Sequence, residues 1–151
     1  MPTFAAGAKI RASALAFGFV TDLTDTTSNA GTTTTEVVSS SIQWTAVAGV
    51  RYKLMYIGQM ESSVAGDQAI LRLRWKNTST VDITGTAFAT TTKVAGTTSR
   101  GDGFILIGQF NGQTAGNLVV AATIIRNLGT GTVRQNLSSG GQVGYFLVET
   151  F

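Results

Sequence analysis

The chain has 151 residues, a formal charge of +3 from eleven basic and eight acidic residues, and neither His nor Cys. That length suits one domain, which buries about 70% of its unfolded surface and needs no disulfide or metal to hold a core. The missing residue types exclude Ser-His-Asp and Cys-His catalysis and zinc sites built from Cys and His, and no apolar run approaches the roughly 18 residues of a membrane span.

Hydrophobic residues make up 43% of the chain and charged residues only 13%, with 18 Gly, 24 Thr and 11 Ser. Disorder goes with high charge and low hydrophobicity, so this balance points to an ordered all-β domain. Residues 1–16 differ from the rest and read as an arm outside the main fold, with one helical turn at 12–16 begun near Ser13. Lys9 and Arg11 ahead of the apolar run 12–20 imitate a signal peptide. The run is too short, Asp22 and Asp25 follow at once, and no small-residue cleavage site closes it.

From residue 17 onward the signals are strand signals. Residues 17–24 form a first strand, 25–35 a polar loop, and 36–47 a second strand carrying Val38, Ile42 and Trp44. Ala48-Gly49 predicts a hairpin from Trp44 to Tyr52, because Val50, Tyr52, Leu54 and Tyr56 then alternate with Arg51, Lys53, Met55 and Ile57. Past a connection at 64–67, Ala69, Leu71, Leu73 and Trp75 alternate with Ile70, Arg72, Arg74 and Lys76. Asn77 to Thr80 is a turn, 81–94 gives a weaker strand signal, and 95–103 is loop. Residues 104–110 are apolar on both faces, which predicts a central strand. Asn111-Gly112 turns into 118–125, again apolar on both faces. A short strand at 132–137 and a C-terminal strand at 143–151 follow. Eight or nine short strands without crossover helices predict an antiparallel sandwich of the jelly-roll kind, one domain over residues 17–151.

Candidate chemistry is sparse. Glycosidases need two carboxylates facing one sugar, and Asp22 with Asp25 reads more simply as loop capping. Asp102 between two glycines is one acid where calcium wants several oxygens. Arg72, Arg74 and Lys76 line one strand face, which reads first as a solvated sheet face or an edge guarded against aggregation and next as a contact for an acidic protein partner or for phosphates. No aromatic interleaves there, which speaks against nucleic acid. Trp44, Trp75, Tyr52, Tyr56 and Tyr145 could stack on a glycan, but most fall on the apolar side of an alternating strand, where core packing is their role. The sequons at Asn77 and Asn136 are polar turns. No phosphate loop, dinucleotide fingerprint or active site emerges, so neither catalysis nor a cofactor is expected.

The opening residues 1–15, Met-Pro-Thr-Phe-Ala-Ala-Gly-Ala-Lys-Ile-Arg-Ala-Ser-Ala-Leu, resemble the start of small β-rich virion proteins of tailed, particularly actinobacterial, bacteriophages. In these a Phe-x-Ala-Gly segment leads into a basic Arg-Ala-Ser stretch and a Thr/Gly-rich β-domain. Here Ser13 is followed by Ala14-Leu15-Ala16, where the family style often has Asp-Leu-Asn. The resemblance implies a capsid decoration protein or a minor tail protein: a homotrimeric β-body anchored by its arm to the major capsid protein or a tail protein. The expected anchor residues are Phe4, Lys9, Ile10, Arg11 and Leu15. The expected location is the virion surface, head before tail, after synthesis in the host cytoplasm without a signal peptide. Neither nucleic acid nor membrane is an expected partner, and a host glycan is a further candidate. A carbohydrate-binding module is the alternative reading.

Overall fold

The computed structural model describes residues 18–25, 31–98, 101–111, 113–136 and 144–150. The predicted arm, its helical turn and the five anchor residues lie outside them. The described residues form nine strands in chain order: β1 (Gly18–Asp25), β2 (Val37–Ala46), β3 (Tyr52–Ser62), β4 (Gln68–Lys76), β5 (Thr86–Val94), β6 (Asp102–Phe110), β7 (Gly116–Leu128), β8 (Val133–Gln135) and β9 (Gly144–Thr150). One sheet has the order β1-β9-β3-β6, with β8 paired to the end of β3, and the other has the order β2-β7-β4-β5. All of these pairings are antiparallel. With β8 set aside, this is the strand order of an eight-stranded jelly roll, so the expected fold class holds.

The alternating segments put their apolar residues between the sheets. Tyr52, Leu54, Tyr56 and Met60 of β3, Leu71 and Leu73 of β4, Phe146 and Val148 of β9 are all buried in one core cluster. β7 is central in its sheet and buried on both faces, as its sequence predicts: Leu118, Val120 and Ile124 face the core, while Val119, Ala121 and Thr123 are covered from outside.

Two expectations fail. The segment from Trp44 to Tyr52 is not a hairpin, because β2 and β3 belong to different sheets. The chain arches across the core instead, and Trp44 meets Tyr52 edge to face at 5.5 Å. Alternation around a short turn gives two strands with one apolar face each. Folding those faces together across a core satisfies that pattern as well as pairing the strands side by side. Consecutive strands pair only at β4–β5 among the described residues. The second failure is β6, which ends its sheet rather than sitting centrally. Phe104, Leu106 and Phe110 face the core, but Ile105 and Ile107 face outward and remain exposed.

One glycine lets the two sheets close at the β6 end. A Cβ on Gly108 would lie 2.6 Å from Phe88 Cδ2 and 2.9 Å from Ala89 Cβ, so only Gly lets β5 lean this close to β6. At this corner Phe110 gathers the largest aromatic group of the core. It stacks on Trp75 at 5.4 Å, packs on Phe88 at 4.8 Å and on Tyr52 at 5.8 Å, and lies 6.3 Å from Trp44.

Candidate interaction surface

Among the described residues, the outer face of the β1-β9-β3-β6 sheet gathers the exposed apolar side chains Phe19, Ile57, Ile105 and Ile107. Register places Ile107, Met55, Leu147 and Asp22 in one row and Ile105, Ile57, Tyr145 and Thr24 in the next. Gln109, Lys53, Glu149 and Phe19 form a third row. Ile105 is 57% exposed, Ile107 58% and Phe19 66%, while Met55, Leu147 and Tyr145 are half-buried by their neighbours. Lys53 and Glu149 form an exposed ion pair at 3.4 Å. The Tyr145 hydroxyl donates to Asp22 at 3.3 Å. Desolvation, and then the Asp22 charge, raise that phenol above its ordinary pKa. Large contiguous apolar patches are uncommon on soluble monomers and mark contact surfaces. Sequence reasoning missed this one because apolar residues on both faces of β6 read as burial on both faces.

The predicted basic row lies on the outside of the other sheet, with Trp75 on the core side as expected. It is not a free positive field. Glu36, just before β2, accepts from Arg74 Nε and Nη2 and from Arg72 Nη1, each at 2.9 Å. Thr123 Oγ1 of β7 donates to the same carboxylate. Burial opposes a charge on Glu36, but the bonds from Arg74 and Thr123 and the two guanidinium charges outweigh it and hold the carboxyl below its ordinary range. Lys76 donates to Asp82 at 2.5 Å and to Thr84 at 2.8 Å. Asp82 is lowered to about 2, first by the bond from Lys76 and then by the bonds it accepts from the Thr84 hydroxyl and amide, each at 2.7 Å. The three cations therefore serve the sheet itself, and the Arg72–Glu36–Arg74 lattice is tied to the outer face of β7 through Thr123.

The remaining carboxylates are also engaged. Asp25 accepts from Ser40 of β2. Burial, and behind it the Asp25 charge, push the nearby Tyr56 phenol far above its ordinary value. Glu61 is buried and accepts from Arg134 and, at 2.5 Å, from Asn136. Asp102 accepts from the Gly96 amide at 2.7 Å, which closes the loop ahead of β6. Asp67 clamps two turns together: it accepts from Ser62 Oγ at 2.6 Å, Thr130 N at 3.0 Å and Gly131 N at 2.9 Å. Each of the eight acids thus has a partner within the fold. Among the described residues no group of three or more acids is arranged to hold a metal ion.

Four of the five aromatic candidates for glycan stacking belong to the core, while Tyr145 lies half-buried on the outer face of the β1-β9-β3-β6 sheet. Trp44, Tyr52 and Tyr56 are buried, and Trp75 packs on the core from its margin. The Asn77 amide of the first sequon donates to Thr114 O at 3.0 Å and accepts from Thr114 N at 3.1 Å, tying two connections together. An open pocket of about 210 Å³ lies between Arg51, Gln109, Phe110 and Asn111. This is below the range of about 300–1,000 Å³ typical of small-molecule sites.

No family model matches the sequence, and no curated protein matches it. Among solved structures, the chain is similar to the Gx strain of infectious bursal disease virus, with 13% identity, 100% of this chain and 41% of that one covered, and a TM-score of 0.39. The Gt strain of the same virus gives 13% identity, 89% and 41% coverage and a TM-score of 0.25. The N-terminal CBM22-1–GH10 modules of endo-1,4-β-D-xylanase 10B from Clostridium thermocellum, complexed with xylohexaose, give 15% identity, 70% and 17% coverage and a TM-score of 0.32. The chain spans less than half the length of each of these. The jelly-roll assignment stands on the strand order itself.

Proposed function

We propose that the chain is a non-enzymatic structural protein of a bacteriophage particle, and that it sits on the head surface, held there by residues 1–16. The family resemblance opens in that N-terminal segment and runs over nearly the whole chain, with sequence segments such as 51–56 and 71–74. The body supports the reading through one observation: a two-sheet fold leaves the outer face of one sheet apolar, with Ile105, Ile107 and Phe19 more than half exposed. Such a face serves contact rather than turnover. The engagement of every carboxylate in a structural bond agrees with a body built for rigidity.

Labelling intact particles with a gold-conjugated antibody to this protein tests the reading. Gold over the head is the expected result, and gold at the tail would move the role to host contact or tail assembly. Protein found only in infected-cell lysate would refute a virion role. Deleting residues 1–16 should abolish particle binding and leave the melting profile of the body unchanged. Normal incorporation of the truncated chain would refute the anchor.

A further inference from the structure

We infer that β6 is a self-association edge, along which a second copy of this chain pairs antiparallel about a two-fold axis. The inference stands apart from the virion role and rests on how the four strands that end the two sheet paths differ among the described residues. β1 carries a bulge between Phe19 and Thr21. β2 carries one between Val38 and Ser40. β5 carries one opposite Leu73/Arg74, and Lys93 besides. Bulges and lysines are the devices by which sheet edges avoid pairing with other chains. β6 has neither. Its nine residues pair with β3 in unbroken register from Asp102 to Phe110, an edge of about 30 Å. Its only charge is Asp102, at the first position.

The sequence of β6 is self-complementary about Leu106. Antiparallel pairing keeps matched residues on the same face, so the sum of partner numbers must be even. Centring on Leu106 sets Ile105 opposite the partner's Ile107 and Ile107 opposite the partner's Ile105. Four exposed isoleucines then form one cluster over the join. Gly103 meets Gln109 across the axis, and Asp102 meets Phe110, so no like charges oppose one another. The outward residues Gly103, Ile105, Ile107 and Gln109 carry no charge that would select an acidic or basic partner. The apolar rows continue from β6 onto Met55 and Ile57 of β3 and Leu147 and Tyr145 of β9. An isologous contact of this kind closes at two copies, not at the three that the family resemblance implies.

Sedimentation velocity on the full chain across a wide concentration range tests the proposal. The expected result is a monomer–dimer equilibrium. Ile107→Lys and, independently, Ile105→Lys should weaken dimerisation on the order of thirty-fold or more. Both should leave the circular-dichroism melt of the monomer nearly unchanged, because these side chains face solvent. The chain has no Cys, so register can be read directly. An equimolar mixture of Ile105→Cys and Ile107→Cys chains should form a disulfide-linked dimer on oxidation, whereas neither alone should. A monomer at every concentration would overturn the inference. So would a trimer, a dimer indifferent to both lysines, or crosslinking of either cysteine variant with itself.

Discussion

Replacing Asp67 by Ala removes the acceptor that holds the β3–β4 turn to the turn between β7 and β8. The carboxylate is 1% exposed and takes three donors: the Ser62 hydroxyl and the Thr130 and Gly131 amides. Gly129 fits beside it at φ +104, where a Cβ would come within 1.8 Å of Asp67 Oδ1. Each buried donor left without an acceptor costs about 1–3 kcal/mol. The site lies directly beneath surface turns, so water can reach some of the freed donors, and a total loss of about 2–4 kcal/mol is expected. For a chain of this size that lowers the melting temperature by roughly 5–15 °C. Asp67→Asn keeps one carbonyl acceptor and should lose about half as much. The sign of the pH dependence follows from the folded state. The Ser62 hydroxyl first, and then the two amides and Arg126, outweigh burial and hold the Asp67 carboxyl below its ordinary pKa. Its contribution is therefore complete above the ordinary carboxylate pKa of 3.8 and is lost as pH falls through the lowered folded value. Urea unfolding of both chains at pH 7 and at steps down to pH 2.5 measures this. The gap between wild type and Asp67→Ala should be full at pH 7 and close in acid. A gap under about 0.5 kcal/mol at pH 7, or one that stays constant through the acid range, would refute the clamp.

Three further changes probe other parts of the body. Phe110→Ala empties the centre of the aromatic group formed with Trp44, Tyr52, Trp75 and Phe88; it should cost about 3–5 kcal/mol in denaturant unfolding, and a loss under about 1 kcal/mol would show that the group collapses freely around the gap. Glu36→Ala leaves Arg72 and Arg74 without their shared carboxylate, and because both guanidiniums keep some access to water (23% and 19% exposed) the expected loss is about 2 kcal/mol in the same assay. Lys53→Ala removes an ion pair whose side chains are 43% and 39% exposed, so stability should move by less than about 0.5 kcal/mol; a larger loss would mean that the outer face is more tightly packed than its exposure indicates.

Strand identity was legible in the sequence because period-two alternation is a local signal. Tyr52, Leu54 and Tyr56, and then Ala69, Leu71 and Leu73, each predict a face, and each face is buried as predicted. Burial of β7 on both faces was legible from its unbroken apolar run, a signal that β6 carries too without being buried on its outer face. The ion-pair lattice tied to the outer face of β7 was not, since Glu36 reaches Arg72 and Arg74 from another strand's start. The basic row consequently reads as a solvated face or a contact surface in sequence and as an ion-paired lattice in space.

By itself, then, the sequence determined that this is an all-β chain without His or Cys chemistry, that Trp44, Tyr52, Tyr56 and Trp75 pack on the core side, and where most strands begin and end. These follow from composition and from contacts between near neighbours. The tertiary structure alone decided that β2 and β3 arch across the core instead of pairing, that β6 is an edge and that its two outward isoleucines meet solvent. The same alternating segment buries one face whether it pairs at a sheet's centre or at its margin. Only long-range pairing between strands distant in sequence tells the two apart.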